Sequence, residues 1–341
     1  MNKRCCEFLV NQIAFYNDAI RPCCSFSIER NNLFEHNYTG DIEGIKKYLE
    51  IRENYIRMFQ ESDIPPCYDG CTIYNPKDSD DCDFKLNTII VSHKIKCSFN
   101  CIYCEPASYG NTERRKHINQ LSSYDIMPVF SYLKDCNLIA KGCRFIICGG
   151  ECSEYPQDEL ARIFYFAISL ECELLILSSA SKYSAAIAQA LKAEGTVLKI
   201  SVDSGTKETF EKIKRVRAFN SVWKNIKSYI EVTRKNPAHN SYVELKYIII
   251  PGINDNIAEA SAFIKRCREV GCLYIRIDVE HGWIYENKYN KEKQVNVSKV
   301  INFFFDELYN DENIKIDFEG VEKDWLWAFV TPKYNIPRIG R

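Results

Sequence analysis

The chain has 341 residues, of which 46% are hydrophobic and 27% are charged, and its formal net charge is −1. This composition is ordinary for a globular protein, and the charge argues against nucleic acid or an anionic membrane as the main partner. The sequence contains no apolar run long enough to span a membrane and no export signal at its start, so we expect a cytoplasmic location.

Cysteine is the exception to this ordinary composition, with 17 residues. A secreted disulfide scaffold would be short and would carry an export signal, and neither property is expected here. Because the cytosol keeps thiols reduced, clustered cysteines are expected to hold a metal or to take part in chemistry.

The first 85 residues predict a small cysteine-rich module. Residues 7–24 predict a β-hairpin that turns at Asn17-Asp18, and residues 41–60 predict a helix that begins after Gly40. The module contains seven cysteines, namely Cys5, Cys6, Cys23, Cys24, Cys67, Cys71 and Cys82.

Residues 86–300 alternate between short β-branched runs and helical patterns. The predicted strands lie at 88–92, 144–148, 173–179, 197–203, 242–250 and 273–279. Six strand–helix repeats imply parallel strands joined by right-handed crossovers. Six are too few to close an eightfold barrel, so we predict an α/β fold, a partial (β/α)6 TIM-like barrel, with a doubly wound sheet as the second choice. Residues 301–341 are predicted to form a C-terminal packing segment with one extra strand.

The three later strands alternate between apolar and polar residues. The polar positions are Lys199, Ser201, Asp203, Glu244, Lys246, Arg276, Asp278 and Glu280. If helices cover the apolar face, the polar face lines a cavity for a polar ligand, because a packed barrel interior is normally apolar. An antiparallel sheet with one solvated face would give the same alternation, but the intervening helical segments favour the cavity.

Three cysteines follow the first of the six strands, at Cys97, Cys101 and Cys104 in the stretch KCSFNCIYCEP. Their spacing would also place them on one face of a core helix, but the neighbouring residues are polar. Structural zinc requires four protein ligands, and no fourth cysteine or histidine follows closely. Three thiolates on a four-iron cluster would leave one iron open for an exchangeable ligand.

The Cys97-x3-Cys101-x2-Cys104 spacing, with Tyr103 before the last cysteine, resembles the signature of the radical S-adenosylmethionine (SAM) superfamily. The resemblance implies a [4Fe–4S] cluster on the three thiolates, with SAM chelating the open iron. It also implies that an electron cleaves SAM to methionine and a 5′-deoxyadenosyl radical, which abstracts hydrogen from a substrate. A reducing partner such as flavodoxin or ferredoxin is implied in the same way, as is sensitivity to oxygen.

Gly149-Gly150-Glu151, at the end of the second strand, resembles the glycine-rich motif that holds the SAM amino group in this family. Glycines allow close approach of the backbone to a ligand, and a carboxylate complements an ammonium group. An ordinary turn at a strand end is the alternative interpretation.

Residues 201–226 are similar to the fourth strand and the following helix of the family. This resemblance implies that Ser201 and Asp203 approach the ribose or the carboxylate of SAM. It also implies that Arg215 pairs with the carboxylate, with Lys214 and Arg217 as alternatives.

The N-terminal cysteines resemble the SPASM or twitch extensions that bind auxiliary iron–sulfur clusters, although those extensions usually follow the barrel. By this resemblance we predict an auxiliary [4Fe–4S] cluster on four cysteines, with Cys5, Cys24 or Cys82 as substitutes. The four predicted ligands are Cys6, Cys23, Cys67 and Cys71. A zinc site on the same four cysteines is the alternative.

Polar residues at the strand ends are the candidates for contact with the substrate. Asp278 and Glu280 close the sixth strand and Lys246 lies on the fifth, and the carboxyl ends of barrel strands carry catalytic groups. His281 is either catalytic or a loop histidine bound to the backbone. Cys148 or Cys152 is the candidate hydrogen donor of an epimerase, with a core cysteine as the alternative.

The resulting hypothesis is a radical SAM enzyme that abstracts hydrogen from an unidentified polar substrate. The charged cavity favours oxidation or epimerisation of a carbohydrate or polyol, and a peptide-modifying maturase is the alternative. A non-catalytic iron–sulfur or zinc protein would need neither the Gly-Gly-Glu turn nor the charged cavity. The low net charge argues against a tRNA-modifying enzyme.

Overall fold

A computed structural model describes residues 4–16, 20–22, 41–61, 76–78, 85–104, 124–235, 240–280, 282–283 and 291–318. Within these ranges the strands are β1 (Arg4–Cys6), β2 (Gln12–Tyr16), β3 (Ile20–Arg21), β4 (Pro76–Asp78), β5 (Leu86–Ser92), β6 (Ile139–Ile147), β7 (Glu173–Ser178), β8 (Thr196–Ser201), β9 (Tyr242–Ile249), β10 (Tyr274–Val279) and β11 (Lys315–Phe318). The helices are α1 (Glu7–Asn11), α2 (Ile42–Glu61), α3 (Met127–Asp135), α4 (Gln157–Ser169), α5 (Ala185–Ala190), α6 (Lys207–Lys214), α7 (Phe219–Arg234), α8 (Ile257–Val270) and α9 (Lys291–Leu308).

The larger sheet contains nine strands in the order β11-β10-β9-β8-β7-β6-β5-β2-β3. Strands β2, β5, β6 and β7 pair in parallel, as do β8, β9, β10 and β11, whereas β2 and β3 are antiparallel. Among the described residues the outer strands β3 and β11 do not pair with each other, so the sheet is open. The α/β class and the open arrangement of parallel strands confirm the predicted partial-barrel fold.

The predicted N-terminal hairpin is only partly correct. β2 and β3 are its two antiparallel arms, but Glu7–Asn11, predicted as part of the first arm, form the helix α1. β2 also pairs in parallel with β5 and so belongs to the larger sheet. Short apolar runs do not distinguish a helix from a strand by their pattern alone, which explains the error.

The chain divides into two compact units, one of residues 1–96 and 116–176 and the other of residues 97–115 and 177–341. In the first unit, Phe130 of α3 packs against Phe15 of β2 and Phe145 of β6. The sequence-based division into residues 1–85, 86–300 and 301–341 stays a prediction. No helix in the described ranges has the length and apolarity that a membrane span requires.

In the second unit the parallel strands separate an apolar face from a polar one, as predicted. Tyr247 of β9 packs against Phe263 of α8 and Phe304 of α9, which places these helices on the apolar face. The parallel register of β8, β9 and β10 excludes the antiparallel alternative for this alternation.

Candidate active-site residues

The loop that carries Cys97, Cys101 and Cys104 is attached to the end of α6 in the second unit. The Asn100 N–H donates to the backbone oxygen of Lys214 (3.1 Å), and the Ile102 N–H donates to that of Ile213 (3.0 Å). These two bonds use carbonyl groups of the last helical turn, which have no partner within a helix. The backbone of the cysteine loop is therefore held by a regular element.

All three thiols of the loop are partly exposed. The Phe99 N–H donates to Sγ of Cys97 at 3.4 Å, and hydrogen bonds of this kind to cluster sulfurs help to set reduction potentials. Burial raises the pKa of the Cys101 thiol above its usual value, while the charge of Lys214 acts in the opposite direction.

The number of thiols on the loop bears on the kind of metal centre that they could hold. Within the described ranges, no three Cys, His, Asp or Glu side chains converge closely enough to hold a metal ion. A zinc ion needs all of its ligands on one small tetrahedron, whereas a four-iron cluster takes each cysteine on a different iron. Three thiols on one loop, without a fourth ligand close in sequence, match the ligand number that leaves one iron of a cluster open.

A buried ion pair lies beside the cysteine loop. The Lys214 ammonium contacts Oδ2 of Asp203 at 2.5 Å and the Tyr103 hydroxyl oxygen at 2.6 Å. The Tyr103 hydroxyl donates to the same Asp203 oxygen at 2.6 Å. The second oxygen, Oδ1, accepts from the Ile248 N–H at 2.9 Å. The Lys214 and Asp203 side chains are only 1% and 0% exposed, so each charge depends on the other for compensation.

The protonation states within this group follow from its geometry. Burial, reinforced by the Asp203 charge, raises the pKa of Tyr103 well above its usual value, so the phenol stays neutral. Burial lowers the pKa of Lys214, but the charges of Asp203 and Cys101 reverse this effect and the net pKa is raised. Lys214 is therefore an ammonium ion at neutral pH.

The three cations considered for the SAM carboxylate differ in their surroundings. Arg215 is exposed and ends α6 in the left-handed conformation with φ 55°. Arg217 is also exposed, whereas Lys214 is covered by Tyr103 and Asp203. The assignment of Arg215 to the carboxylate stays a prediction.

The N-terminus of α6 is bound by a carboxylate from another helix. The buried Glu259 of α8 accepts from the backbone N–H groups of Gly205 (2.7 Å) and Thr206 (2.9 Å). It also accepts from the hydroxyls of Thr206 (2.9 Å) and Thr209 (3.0 Å). A negative charge at a helix N-terminus is stabilising, so α6 is fixed at both ends. No local pattern in the sequence indicated this role for Glu259.

The loop after β9 supports Asp203 from another direction. The fully buried Asn254 donates from Nδ2 to the backbone oxygens of Asp203 and Ile248, both at 2.8 Å. Its Oδ1 accepts from the Ile250 N–H at 2.6 Å. Nothing in the sequence near Asn254 indicates these contacts.

The Gly149-Gly150-Glu151 turn lies in the first unit, directly after β6. Both glycines have positive φ, at 82° and 53°. A Cβ at Gly150 would collide with the backbone oxygen of Lys96, the residue that precedes Cys97. The Glu151 N–H donates to that same oxygen at 2.9 Å. The turn thus requires glycine, and it is bound to the segment that leads into the cysteine loop.

The ring of Tyr155 supports the Gly-Gly-Glu turn. Its hydroxyl lies 2.7 Å from the backbone oxygen of Lys94 and 2.8 Å from that of Gly149. Cys148 is half-buried at the end of β6, and Cys152 is completely buried. Assignment of either thiol as a hydrogen donor stays a prediction.

A second buried charge group joins β5 to α4 in the first unit. Oε1 of Glu159 lies 3.1 Å from Nε2 of His93, and Oε2 lies 2.9 Å from the Lys94 ammonium. Burial alone would raise the pKa of Glu159, but the hydrogen bonds from His93 and Lys94 lower it. His93 directly follows β5, so this group fixes the start of the segment that leads to Cys97.

We expect Glu159→Gln to lower the free energy of unfolding by about 1–2 kcal/mol at pH 7, because it removes a charge-assisted contact. A carboxylate whose folded pKa is depressed stabilises above its unfolded pKa and loses this contribution as the pH falls through the folded pKa. The difference in free energy of unfolding between variant and parent should therefore be smaller below pH about 4.5 than at pH 7. Urea unfolding at pH 7 and below pH about 4.5 measures this difference, and the variant Asp158→Asn, which changes an exposed carboxylate, is the control. An equal difference at both pH values would contradict the prediction.

The predicted substrate residues lie on the polar face of the second unit, except Glu280. Lys246 pairs with the buried Asp278 at 3.1 Å. Both Glu280 carboxylate oxygens accept backbone N–H groups, from Gly282 at 2.8 Å and Trp283 at 2.6 Å. The catalytic assignments of Lys246, Asp278 and Glu280 stay predictions, and His281 lies outside the described residues.

A chain of ion pairs crosses the same polar face. Glu244 accepts from Lys199 (3.2 Å) and from Arg276 (2.8 Å). Arg276 also contacts Asp317 at 3.0 Å. The pairs join four neighbouring strands, β8 to β11, through side chains.

Of the predicted auxiliary-cluster ligands, only Cys6 lies in the described ranges, where it is buried at the end of β1. Cys23, Cys67 and Cys71 lie outside the described residues, as do the substitutes Cys24 and Cys82. The auxiliary cluster therefore stays a prediction.

These features define an α/β protein with a three-thiol loop after one parallel strand and a glycine turn after its neighbour. The Radical SAM superfamily matches residues 91–264, just over half of the chain. The chain belongs to this superfamily, and membership implies an enzyme that uses SAM and a [4Fe–4S] cluster.

The chain is similar to one curated protein and to several solved structures. It is 26% identical over 188 residues to the GTP 3′,8-cyclase of Desulforamulus reducens, covering 54% of this chain and 53% of that protein. Among solved structures it resembles Streptococcus suis SuiB bound to S-adenosylmethionine, with TM-score 0.53 and 14% identity over 91% of this chain and 62% of SuiB. It also resembles a histidine-tagged anSMEcpe with bound AdoMet, with TM-score 0.50 and 14% identity over 68% of this chain and 61% of that one.

The chain spans about half the length of that curated relative and about three-fifths of those solved structures. At such low identity the likeness to the solved structures concerns the fold.

Proposed function

We propose that the chain is a radical SAM enzyme that abstracts a hydrogen atom from a polar substrate. The observation that carries the proposal is the loop of Cys97, Cys101 and Cys104, which α6 holds by two backbone bonds beside a buried ion pair. An electron carrier would need neither the strained glycine turn nor the charged face of the sheet. These features favour an enzyme over a non-catalytic iron–sulfur protein.

Different residues of this chain would hold the cluster and the separate groups of SAM. A [4Fe–4S] cluster on the three thiolates would supply the electron that cleaves SAM into methionine and a 5′-deoxyadenosyl radical. Gly149-Gly150-Glu151 would hold the SAM amino group, since the turn presents backbone without side chains and a carboxylate. Ser201 would orient the ribose or carboxylate, and Arg215 would pair with the carboxylate. Asp203, whose two oxygens are bound within the protein, would act on SAM only through Lys214 and Tyr103. A flavodoxin or ferredoxin would deliver the electron.

The polar face of β8, β9 and β10 supports a polar substrate. Lys246 and Asp278, which are charged and paired, would contact it, and Glu280 would assist at the strand end. We favour a carbohydrate or polyol that is oxidised or epimerised, with Cys148 as the hydrogen donor of an epimerisation. An auxiliary cluster on Cys6, Cys23, Cys67 and Cys71 would instead accept the electron of an oxidation. Transfer of deuterium from labelled sugars or labelled peptides into 5′-deoxyadenosine distinguishes the substrate classes.

The central test is iron content and SAM cleavage after anaerobic reconstitution. We expect the parent to form 5′-deoxyadenosine with dithionite, and the Cys97/Cys101/Cys104→Ala variant to lose about four irons and all cleavage. Cys136→Ala, which removes an exposed thiol, is the matched control and should behave as the parent does. A parent with a full cluster that does not cleave SAM would contradict the proposed activity. Full iron content in the triple variant would contradict the ligand assignment.

A further inference from the structure

The cysteine loop contacts a buried positive charge, Lys214, to which the proposed function assigns no direct role. Tyr103 lies between Cys101 and Cys104 in the sequence, and its hydroxyl oxygen accepts from the Lys214 ammonium at 2.6 Å. The loop also bonds to the Lys214 backbone through Asn100. Lys214 is thus attached to the loop by its side chain and by its main chain.

Asp203 holds this charge in place and opposes it with its own. Asp203 contacts the ammonium directly, but its other oxygen and its backbone oxygen are bound to β9 and to Asn254. Both side chains also contact the Tyr103 hydroxyl of the loop. A buried cation and a buried anion therefore lie beside the cysteine loop, and their charges act on it with opposite signs.

A positive charge near an iron–sulfur cluster favours its more negative, reduced form. Net charge, hydrogen bonds and exposure set the reduction potential of such clusters, and charges act more strongly in a buried, low-dielectric environment. Lys214 is 1% exposed, so solvent screens it weakly. Reduction adds one electron from an external donor and neither forms nor breaks a bond in the protein.

We propose that Lys214, held by Asp203 and Tyr103, is a positioning residue that raises the reduction potential of the cluster on Cys97, Cys101 and Cys104. The inference rests on the proposed function, because it requires a cluster on those thiols. It assigns opposite effects to two residues in contact: Lys214 eases reduction of the cluster, and Asp203 holds the ammonium while opposing its charge.

The test is the midpoint potential of the reconstituted protein without SAM, so that pairing with the SAM carboxylate does not enter. Dithionite with viologen mediators serves as the reductant, and electron paramagnetic resonance follows the signal that the Cys97/Cys101/Cys104→Ala variant lacks. We expect a more negative potential in Lys214→Met and a more positive one in Asp203→Asn. Lys214→Arg keeps the charge and should retain the parent potential. Lys212→Met removes an exposed lysine of the same helix and should also retain the parent midpoint potential.

Each outcome decides between an electrostatic and a purely structural role. If Lys214 only shapes the loop, Lys214→Met binds less iron but the cluster that forms keeps the parent potential, and the proposal fails. If Lys214→Met assembles no cluster, Asp203→Asn decides, and an unshifted potential there overturns the proposal. An equal shift in Lys212→Met also overturns it. A signal that persists in the triple cysteine variant would instead refute the proposed function.

Discussion

Gly150→Ala is expected to weaken SAM binding by roughly 100-fold, which corresponds to about 2.7 kcal/mol. Gly150 has φ 53°, where a residue with a Cβ costs about 1–2 kcal/mol. The new Cβ would also collide with the backbone oxygen of Lys96 and approach the carbonyl carbon of Ile95 to 2.5 Å. A backbone cannot yield as a flexible side chain does, so either the turn or the segment before Cys97 must move.

The chain offers a matched control for this experiment in Gly142 of β6. Gly142 has φ 71°, but nothing lies within 4 Å of its ideal Cβ. Gly142→Ala therefore introduces the conformational strain without the collision. Equilibrium dialysis with labelled SAM on reconstituted protein measures both variants. Parent-like binding by Gly150→Ala, or an equal loss in Gly142→Ala, would show that the close contact with Lys96 does not matter.

Glu259→Ala is expected to lower the free energy of unfolding by about 3–5 kcal/mol, because it leaves buried donors without an acceptor. The carboxylate accepts four hydrogen bonds at the start of α6, two of them from the backbone of Gly205 and Thr206. Glu259→Gln should lower the free energy of unfolding by less, because the amide keeps one acceptor oxygen. Because α6 carries the cysteine loop at its other end, the reconstituted Ala variant should also release iron faster.

Urea unfolding and the rate of iron release to a chelator measure these effects. Glu269→Gln, on the same helix, is the control, because Glu269 is exposed and pairs only weakly with Arg266 at 3.8 Å. Parent-like stability of Glu259→Ala would refute the role of Glu259 at α6. If Glu259→Ala is destabilised but releases iron at the parent rate, the stability of α6 does not determine how firmly the cysteine loop holds iron.

The strands were predictable because their signal is local. The β-branched runs at β5, β7, β8, β9 and β10 match the structure closely, and the alternation of Leu198, Lys199 and Ile200 already gave the two faces of β8. β6 begins earlier than predicted, at Ile139, because Gly142 interrupts the apolar pattern.

The contacts around the cysteine loop were not predictable in the same way. Tyr103 and Lys214 lie 111 residues apart, and Glu259 lies 53 residues from Thr206. Nothing in the sequence near these residues indicates their partners. The first contact arises only when the cysteine loop meets the end of α6, and the second only when α6 and α8 pack. The cysteine spacing was recognisable because it lies within one short loop. The charge beside that loop depends on the tertiary fold.

The shared position of Glu244 has a consequence for how this protein can change over evolution. Lys199 and Arg276 both depend on Glu244, and Arg276 in turn pairs with Asp317. Loss of the Glu244 charge alone would remove an anionic partner from both cations at once, at a cost in stability. A change of ligand specificity on this face is therefore expected to require replacement of both members of an ion pair on adjacent strands, so that the total charge of the face stays the same.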